Sequence, residues 1–258
     1  MSIIFDKSTE KTAMQMICPV SISETDCCHK VKPVVIFNYM QDLAAKSINY
    51  YNSNFSCEEL LQKGLGWFLI RYRIEFDTCP KDVKELLVKT ECRGAWKMTT
   101  FRDFEVYDNT TGNRILRAGS SWLIVDLNNK SVVNISQEYP EFLKFEKRED
   151  DLVLQKLRAI DRVDGEKVFT VRYDDIDVNN HVNNTVYIAW ALETLGYDFR
   201  TQHDLKSLDI YFKHDVKYGE DIVSQVNIDK DNLISHHVIK NASTGEELCL
   251  LKAEFVKL

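Results

Sequence analysis

Apolar residues recur every three to four positions after Pro33, which is the spacing of one buried helix face. The repeating positions are Ile36 or Phe37, Met40, Leu43 or Ala44, Ile48 and Tyr51. Proline is tolerated in a first helical turn, because the N–H that it lacks would have no partner within the helix. The pattern therefore predicts a long, heavily buried helix from about residue 34 to residue 51.

The pattern changes after residue 56, where it predicts a short helix and then a series of strands. Ser56 and Glu59 have the spacing of a capping box, and Gly64 is a typical residue to end the helix. The segments predicted as strands are 67–76, 83–92, 99–107 and 114–125. A helix followed by consecutive antiparallel strands is typical of the α+β class.

The same order of elements returns in the second half of the chain. A polar loop at 174–184 leads into a predicted helix over 184–195, which Gly196 ends. Strands are predicted near 168–174, 206–218, 220–229, 233–241 and 246–257. The segment between the halves is mixed and charged, as a solvated connector would be. We therefore predict a first lobe at 1–130, a connector at 131–165 and a second lobe at 166–258.

Acidic residues at matching places support this internal duplication. Two pairs lie 151 positions apart, namely Asp26 with Asp177 in the polar loops and Asp42 with Glu193 in the helices. A third pair, Asp77 with Asp215, lies 138 positions apart, as expected if the second copy lacks 13 residues that include the short helix. The offsets predict two related lobes in one chain.

Composition, charge and cysteine usage limit the classes of protein to consider. The 258 residues are 44% hydrophobic with 9 Gly and 4 Pro, which argues against collagen-like and largely disordered chains. The net charge of −7 argues against a nucleic-acid binder. No apolar run could span a bilayer or serve as a secretory signal, and the seven cysteines are scattered, as reduced thiols are. We expect a soluble, cytoplasmic protein without a membrane span.

The polar loop of the second half holds more Asp and Asn residues than turns and one helix cap require. Its spacing D-x-D-x-N, which starts at Asp175, imitates a calcium loop, but Asn180 replaces the glycine and Val186 the final glutamate. His181 has no second zinc ligand at short spacing. No metal and no cofactor is expected.

The loop and the helix after it carry the motif D-x-D-x-N-x-H-V-N-N-x-x-Y-x-x-W, from Asp175 to Trp190 without a gap. Shorter motifs run through both halves, including Trp67-x-Leu69-x-Arg71, Arg102-Asp103-Phe104, Ser121-Trp122 and Phe212-Lys213-His214-Asp215-Val216-Lys217-Tyr218-Gly219. On these motifs the chain resembles the acyl-acyl-carrier-protein (acyl-ACP) thioesterases of bacteria and plants. The resemblance covers nearly the whole chain.

The resemblance implies a double hot-dog fold, in which each lobe wraps an antiparallel sheet around a long helix. It implies hydrolysis of the thioester of fatty acyl-ACP, which releases free fatty acid and terminates fatty acid synthesis. The functional positions of the family fall on Asp177, Asn179, His181 and Asp215. Asp215 departs from the usual glutamate and is one methylene shorter, which puts its reach in question. A cysteine beside this acid, used by some relatives, is replaced by His214 and Val216.

Thioester hydrolysis needs an attacking group and a stabiliser for the developing oxyanion. Asp177 could attack the thioester directly or act as a base, with Asp215 positioning or deprotonating water. Backbone N–H groups near 182–184, at the start of the helix, could bind the thioester oxygen with help from Asn179 or His181.

The equivalent loop of the first lobe lacks the chemical groups of the second. At the offset of 151, Cys28 and Lys30 stand in place of Asn179 and His181. We therefore expect one active site per chain. By analogy with the family, the first lobe would hold the acyl tail.

The expected partner is the acyl carrier protein, and a homodimer is left open. Carrier proteins are acidic, so a local basic face should dock them. Its candidates are Lys81, Lys84, Lys97, Arg102, Lys213 and Lys217. The alternatives are an acyl-coenzyme A thioesterase, which shares the chemistry, and a non-catalytic acyl-binding hot-dog protein. A dehydratase of the same fold is disfavoured, because its G-H-F-P-G type loop is absent.

Overall fold

The computed structural model describes the backbone of residues 2–4 and the whole of residues 13–258. The chain divides into two compact units, Met1–Leu154 and Gln155–Leu258. The division lies inside the segment 131–165, and the predicted lobe limits at 1–130 and 166–258 stay a prediction. Part of the N-terminal stretch considered as a secretory signal, residues 5–12, lies outside the described residues.

The first unit is an antiparallel sheet with one long helix. Its strands and helices are β1 (Ser2–Ile4), β2 (Ala13–Pro19), α1 (Pro33–Tyr51), α2 (Cys57–Gln62), β3 (Leu65–Phe76), β4 (Glu85–Trp96), β5 (Thr99–Asp108), β6 (Arg114–Asp126), β7 (Ser131–Val132) and α3 (Ile135–Glu138). The strands pair in the order β1-β2-β4-β5-β6-β3, and the short β7 pairs with β6.

The predicted long helix is confirmed, and its apolar stripe is the core of the first unit. Its buried residues are Ile36, Phe37, Met40, Leu43, Ala44, Ser47 and Ile48. Alternate residues of β5, among them Phe104 and Val106, are buried as well. Burial of every second strand residue against one helix stripe is the expected α+β packing.

The second unit repeats this arrangement in fewer residues. Its strands and helices are β8 (Gly165–Thr170), α4 (Asn184–Thr194), α5 (Tyr197–Gln202), β9 (His203–Phe212), β10 (Asp221–Asp229), β11 (Ile234–Asn241) and β12 (Glu247–Lys257). The sheet order is β9-β12-β11-β10-β8, with antiparallel neighbours. Helix α4 buries Tyr187, Ile188, Trp190 and Ala191. Among the described residues, no helix is long and apolar enough to cross a membrane.

Some details of the sequence prediction are wrong. The strand predicted near 168–174 is Gly165–Thr170, and Tyr173–Asp175 forms a 3-10 turn instead. The strand predicted to run to residue 218 ends at Phe212, because the N–H groups of Lys213 and His214 both donate to the carbonyl of Leu248. The first unit has the same pattern, since the N–H groups after Phe76 donate to one carbonyl on β6. The strand ends therefore align at an offset of 136, and Cys79, not Asp77, matches Asp215.

Candidate active site

The polar loop before α4 is built around the carboxylate of Asp177. Its Oδ1 accepts the backbone N–H of Asn179 at 2.8 Å and that of His181 at 3.3 Å. The backbone of Asp177 donates to the carbonyl of His181 at 2.8 Å, and Asn180 has a positive φ of 61°. Aspartate and asparagine favour such turns because they bond to nearby backbone and tolerate this conformation. The sequence folds here into a tight loop that presents residues 179–181.

The first aspartate of the motif, Asp175, has a structural role. It is 1% exposed, and its carboxylate accepts the backbone N–H of Arg172 at 2.9 Å and the guanidinium of the same residue at 2.7 Å. A buried carboxylate with these partners is satisfied, so it anchors the loop and leaves the chemistry to its neighbours.

His181 and Asp215 form a close pair. Nδ1 of His181 lies 2.6 Å from Oδ2 of Asp215, and the ammonium of Lys217 donates to the same oxygen at 3.1 Å. Burial raises the pKa of Asp215, but the hydrogen bonds and charges of Lys217 and His181 outweigh it, so the pKa lies below the ordinary value. Asp215 is thus an anion at neutral pH. Its shorter side chain reaches the histidine without difficulty.

A carboxylate at Nδ1 assigns the ring proton to that nitrogen and the lone pair to Nε2. Lys217 was predicted only as a docking residue, and its contact with Asp215 was not predicted. Its place two residues after Asp215, in the same motif, was the available signal.

The loop of Asp215 is held against α4. Val216 is 1% exposed, and the buried hydroxyl of Tyr187 is hydrogen-bonded to its backbone. The motif tyrosine on α4 therefore fixes the segment that carries the acid, which explains how residues 34 positions apart in the chain meet.

The structure brings all four predicted site residues into one network. Besides the contacts above, Nδ2 of Asn179 lies 3.4 Å from Oδ2 of Asp177. Asn179 is exposed, while Asp177 and His181 are half-buried. The carboxylate of Asp177 thus contacts the side chain of Asn179 and the backbone N–H of His181, whose imidazole contacts Asp215.

The backbone N–H groups near 182–184 were predicted to bind the thioester oxygen, and this prediction is wrong for the N–H of Asn183. Its N–H donates to the carbonyl of Asp175 at 2.8 Å, and its side chain accepts the N–H of Thr185 at 3.0 Å. The N-terminus of α4 is capped from within the loop. The exposed side-chain amide of Asn179 is the other predicted candidate for the oxyanion donor.

No group of three or more metal-type ligands occurs in the part of the chain that the structure describes. The thiol of Cys249 is fully buried on β12, which raises its pKa, so it cannot serve as an exposed nucleophile.

Family models match both units of the chain. The N-terminal domain of acyl-ACP thioesterases matches residues 11–143, and the C-terminal domain matches residues 159–257. This chain belongs to the acyl-ACP thioesterase family.

Curated relatives of this family member come from plants. The chloroplastic palmitoyl-acyl carrier protein thioesterase of Arabidopsis thaliana is 27% identical over 201 residues, which cover 74% of this chain and 48% of the relative. The chloroplastic oleoyl-acyl carrier protein thioesterase 1 of the same plant is 24% identical over 206 residues, 74% of this chain and 57% of the relative. The chain thus spans only about half of the length of these relatives.

Solved structures of acyl-ACP thioesterases share the fold. A putative oleoyl thioesterase from Lactobacillus plantarum has a TM-score of 0.82 at 21% identity, with 96% of this chain and 97% of the other covered. The 12:0-ACP thioesterase from Umbellularia californica has a TM-score of 0.81 at 21% identity, with 95% and 98% covered. The α+β, double hot-dog fold is confirmed.

The first unit of this thioesterase family member contains a second loop with the same backbone. Oδ1 of Asp26 accepts the N–H of Cys28 at 2.8 Å and of Lys30 at 3.0 Å, and His29 has a φ of 61°. Each of these features lies 151 positions before its counterpart in the second loop. The two loops differ in side chains and not in backbone.

One predicted docking residue is misplaced. Arg102 is 7% exposed on the inner face of β5 and cannot dock a partner. Lys213 pairs with Glu247 at 2.6 Å, and Lys217 is part of the candidate site. The remaining candidates, Lys81, Lys84 and Lys97, are exposed.

Proposed function

We propose that this protein hydrolyses the thioester of fatty acyl-ACP, releases free fatty acid and so terminates fatty acid synthesis. The observation that carries the proposal is the hydrogen-bonded network of Asp177, Asn179, His181 and Asp215. A binding pocket alone would not need an ionised carboxylate on an imidazole beside a second carboxylate.

In the first step, Oδ2 of Asp177 attacks the carbonyl carbon of the thioester. The amide of Asn179 donates to the carbonyl oxygen as negative charge develops on it. The C–S bond breaks as the C–O bond forms, which gives an acyl-aspartyl anhydride. The thiolate of the carrier leaves and takes up a proton.

In the second step, water attacks the anhydride and gives its proton to Nε2 of His181. Asp215 stabilises the imidazolium through Nδ1, as an acid paired with a histidine does in other hydrolases. The bond to Asp177 breaks, the carboxylate and the fatty acid are released, and the imidazolium gives its proton to solvent, which balances the proton that the thiolate took from solvent. If Asp177 instead acts as a base, the same network activates water for direct attack. A burst of thiol ahead of fatty acid release separates the two routes.

The test is thiol release from acyl-ACP and acyl-coenzyme A substrates of graded length, with wild type, His181→Ala and Asp177→Asn. Preference for the carrier, with both variants inactive, supports the proposal. Equal use of both substrate classes would favour an acyl-coenzyme A thioesterase. Saturable binding of acyl groups without thiol release from any substrate would refute hydrolysis and favour an acyl-binding protein.

Two further parts of the proposal concern the setting of the enzyme. The first unit holds the acyl tail, because its loop has Cys28 and Lys30 where the second has Asn179 and His181. A cytoplasmic location and a homodimer stay predictions, which fractionation and sedimentation would test.

A further inference from the structure

The inner face of the sheet in the first unit carries a buried cation. Arg102 lies on β5 between Thr100 and Phe104, two buried neighbours on the same face, and is 7% exposed. Its Nη1 donates to Thr90 Oγ1 at 3.0 Å and to Ser47 Oγ, on α1, at 3.3 Å. The guanidinium therefore lies between the sheet and the long helix, inside the apolar core.

No carboxylate among the described residues forms an ion pair with Arg102. The neighbouring Asp103 points to the other face of the strand and pairs with Arg93. The groups that accept from Nη1 are the neutral hydroxyls of Thr90 and Ser47. A buried charge without a counter-charge is costly, so it is expected where a ligand supplies the missing charge.

A second unsatisfied polar group faces the same interior. Tyr72 is 3% exposed, and its hydroxyl has no hydrogen-bond partner. Its ring packs against Phe37 and Phe104 at 6.0 and 5.9 Å between centroids. The hydroxyl is close enough to Arg102 for the cation to influence its pKa, although burial dominates and raises that pKa. Tyr72 on β3 and Arg102 on β5 both lie opposite Ser120 of β6, so a hydroxyl without a partner and a cation bonded to neutral hydroxyls occur on adjoining strands among aromatic and aliphatic side chains.

The residues around Arg102 and Tyr72 indicate which ligand chemistry would fit them. The planar fork of a guanidinium matches the two oxygens of a carboxylate, and a tyrosine hydroxyl can add a third hydrogen bond. One arginine cannot neutralise a phosphate in an apolar interior, whereas it balances a single carboxylate. The apolar residues around Tyr72 suit an aliphatic chain attached to that carboxylate.

We propose that Arg102 and Tyr72, with Ser47 and Thr90, form a binding site for the carboxylate of an aliphatic acid inside the first unit. Two sources share this chemistry: a free fatty acid, and the far carboxyl group of a dicarboxylic acyl chain. The site rests on the geometry of the first unit and does not require hydrolysis. The dicarboxylic source alone would extend the proposed function.

The test is calorimetric titration of the full chain with decanoate and with decanol. Charged hydrogen bonds contribute about 1.5–3 kcal/mol, so we expect decanoate to bind about 10- to 100-fold more tightly than decanol. Arg102→Met keeps the side-chain length, and it should abolish this preference. Arg158→Met, at an exposed position, is the matched control and should preserve the preference.

Tyr72→Phe keeps the ring and removes only the hydroxyl, so it remains informative if Arg102→Met does not fold. It should weaken decanoate binding by about 3- to 10-fold and leave decanol binding unchanged. Equal affinities for decanoate and decanol in wild type would overturn the site and indicate that water alone satisfies Arg102. Unchanged decanoate binding in both variants would overturn it as well.

The sources are separated with coenzyme A thioesters of decanoic acid and of sebacic acid, in a His181→Ala background that prevents turnover. Tighter binding of the sebacic monothioester, lost with Arg102→Met, identifies the acyl tail as the source. Arg102-dependent binding of decanoate alone identifies the free acid. Hydrolysis without any carboxylate preference would overturn only this site, and carboxylate binding without hydrolysis would overturn only the proposed function.

Discussion

Replacing Asp215 by asparagine tests whether the charge of this residue, and not only its hydrogen bond, supports the reaction. The amide can still accept from His181 and Lys217 through its oxygen, so the geometry is retained. What is lost is the negative charge 2.6 Å from Nδ1 of His181, which would stabilise the imidazolium formed when water is deprotonated.

The size of the effect follows from the contact. A hydrogen bond to a charged group contributes about 1.5–3 kcal/mol, against about 1 kcal/mol for a neutral one. The side chains of His181 and Asp215 are 33% and 42% exposed, so solvent screens the pair and the lower half of that range applies. Because the asparagine keeps a neutral hydrogen bond, only the difference of about 0.5–1.25 kcal/mol is lost, and we expect kcat/KM to fall by about 2- to 8-fold in Asp215→Asn.

The pH dependence adds a constraint. The pKa of Asp215 is lowered, so the pairing is complete above its ordinary value near 4 and is lost only as the pH falls through the lowered value. The deficit of Asp215→Asn should therefore be similar at every pH from about 6 to 8. Thiol release from acyl-ACP, followed across this range, measures it.

Asp215→Glu is the matched control, because it keeps the charge and supplies the residue that is usual in the family. We expect it to retain the wild-type kcat/KM to within about 2-fold. An Asp215→Asn variant with the wild-type kcat/KM would refute the role of the charge. An equal loss in the asparagine and glutamate variants would show that position matters and charge does not.

Three further predictions concern the loop, the core and the backbone. Asp177→Asn keeps the Oδ1 acceptor but removes the anion, so it should lower turnover by more than about 1000-fold without changing Tm. Asp26→Asn, the matched variant in the first unit, should change neither turnover nor Tm. A thiol-release assay measures turnover, and a thermal melt measures Tm. Burial lowers the pKa of His237 to about 3. The histidine is therefore protonated in the unfolded chain, but not in the folded chain, as the pH falls from 7 to 5. The free energy of unfolding should fall by about 2 kcal/mol over this range. In urea unfolding, the free energy of unfolding of His237→Leu should not show this fall. The same pH dependence in His237→Leu and in wild type would contradict the prediction. Gly94 has a φ of 92° and an added Cβ would lie 2.5 Å from a backbone oxygen, so Gly94→Ala should cost at least about 2 kcal/mol, more than Gly112→Ala, which has space around it.

Most helices and strands could be predicted from the sequence, because the spacing of hydrophobic residues indicates which face of each element is buried. Helix α1 and strands β3 to β6 agree with the predicted segments to within a few residues. Strand β2 was not predicted, although its buried residues alternate. The end of β9 was misplaced because a carbonyl on β12, remote in sequence, decides where that strand stops pairing.

The members of the site could be predicted, but their partners could not. The motif places Asp177, Asn179 and His181 in one loop, and that spacing is visible in the sequence. The contact of His181 with Asp215 depends on how the segment after β9 packs on α4. The N–H of Asn183 was expected to be available, yet a carbonyl eight residues earlier accepts it. Hydrogen-bond partners of this kind are set by tertiary packing, which periodicity does not encode.

The two polar loops separate the requirements of folding from those of chemistry. Both keep an aspartate whose Oδ1 accepts two backbone N–H groups, and both keep a left-handed residue three positions later. The loop backbone therefore needs this Oδ1 and does not need Asn179 or His181, since Cys28 and Lys30 occupy the same places without changing it. Because those two residues are dispensable for the loop backbone, their presence in the second unit, where His181 contacts Asp215 and Asn179 contacts Asp177, calls for a chemical explanation. In the proposed mechanism Asp177 serves both requirements, with one oxygen in the turn and the other beside the amide of Asn179.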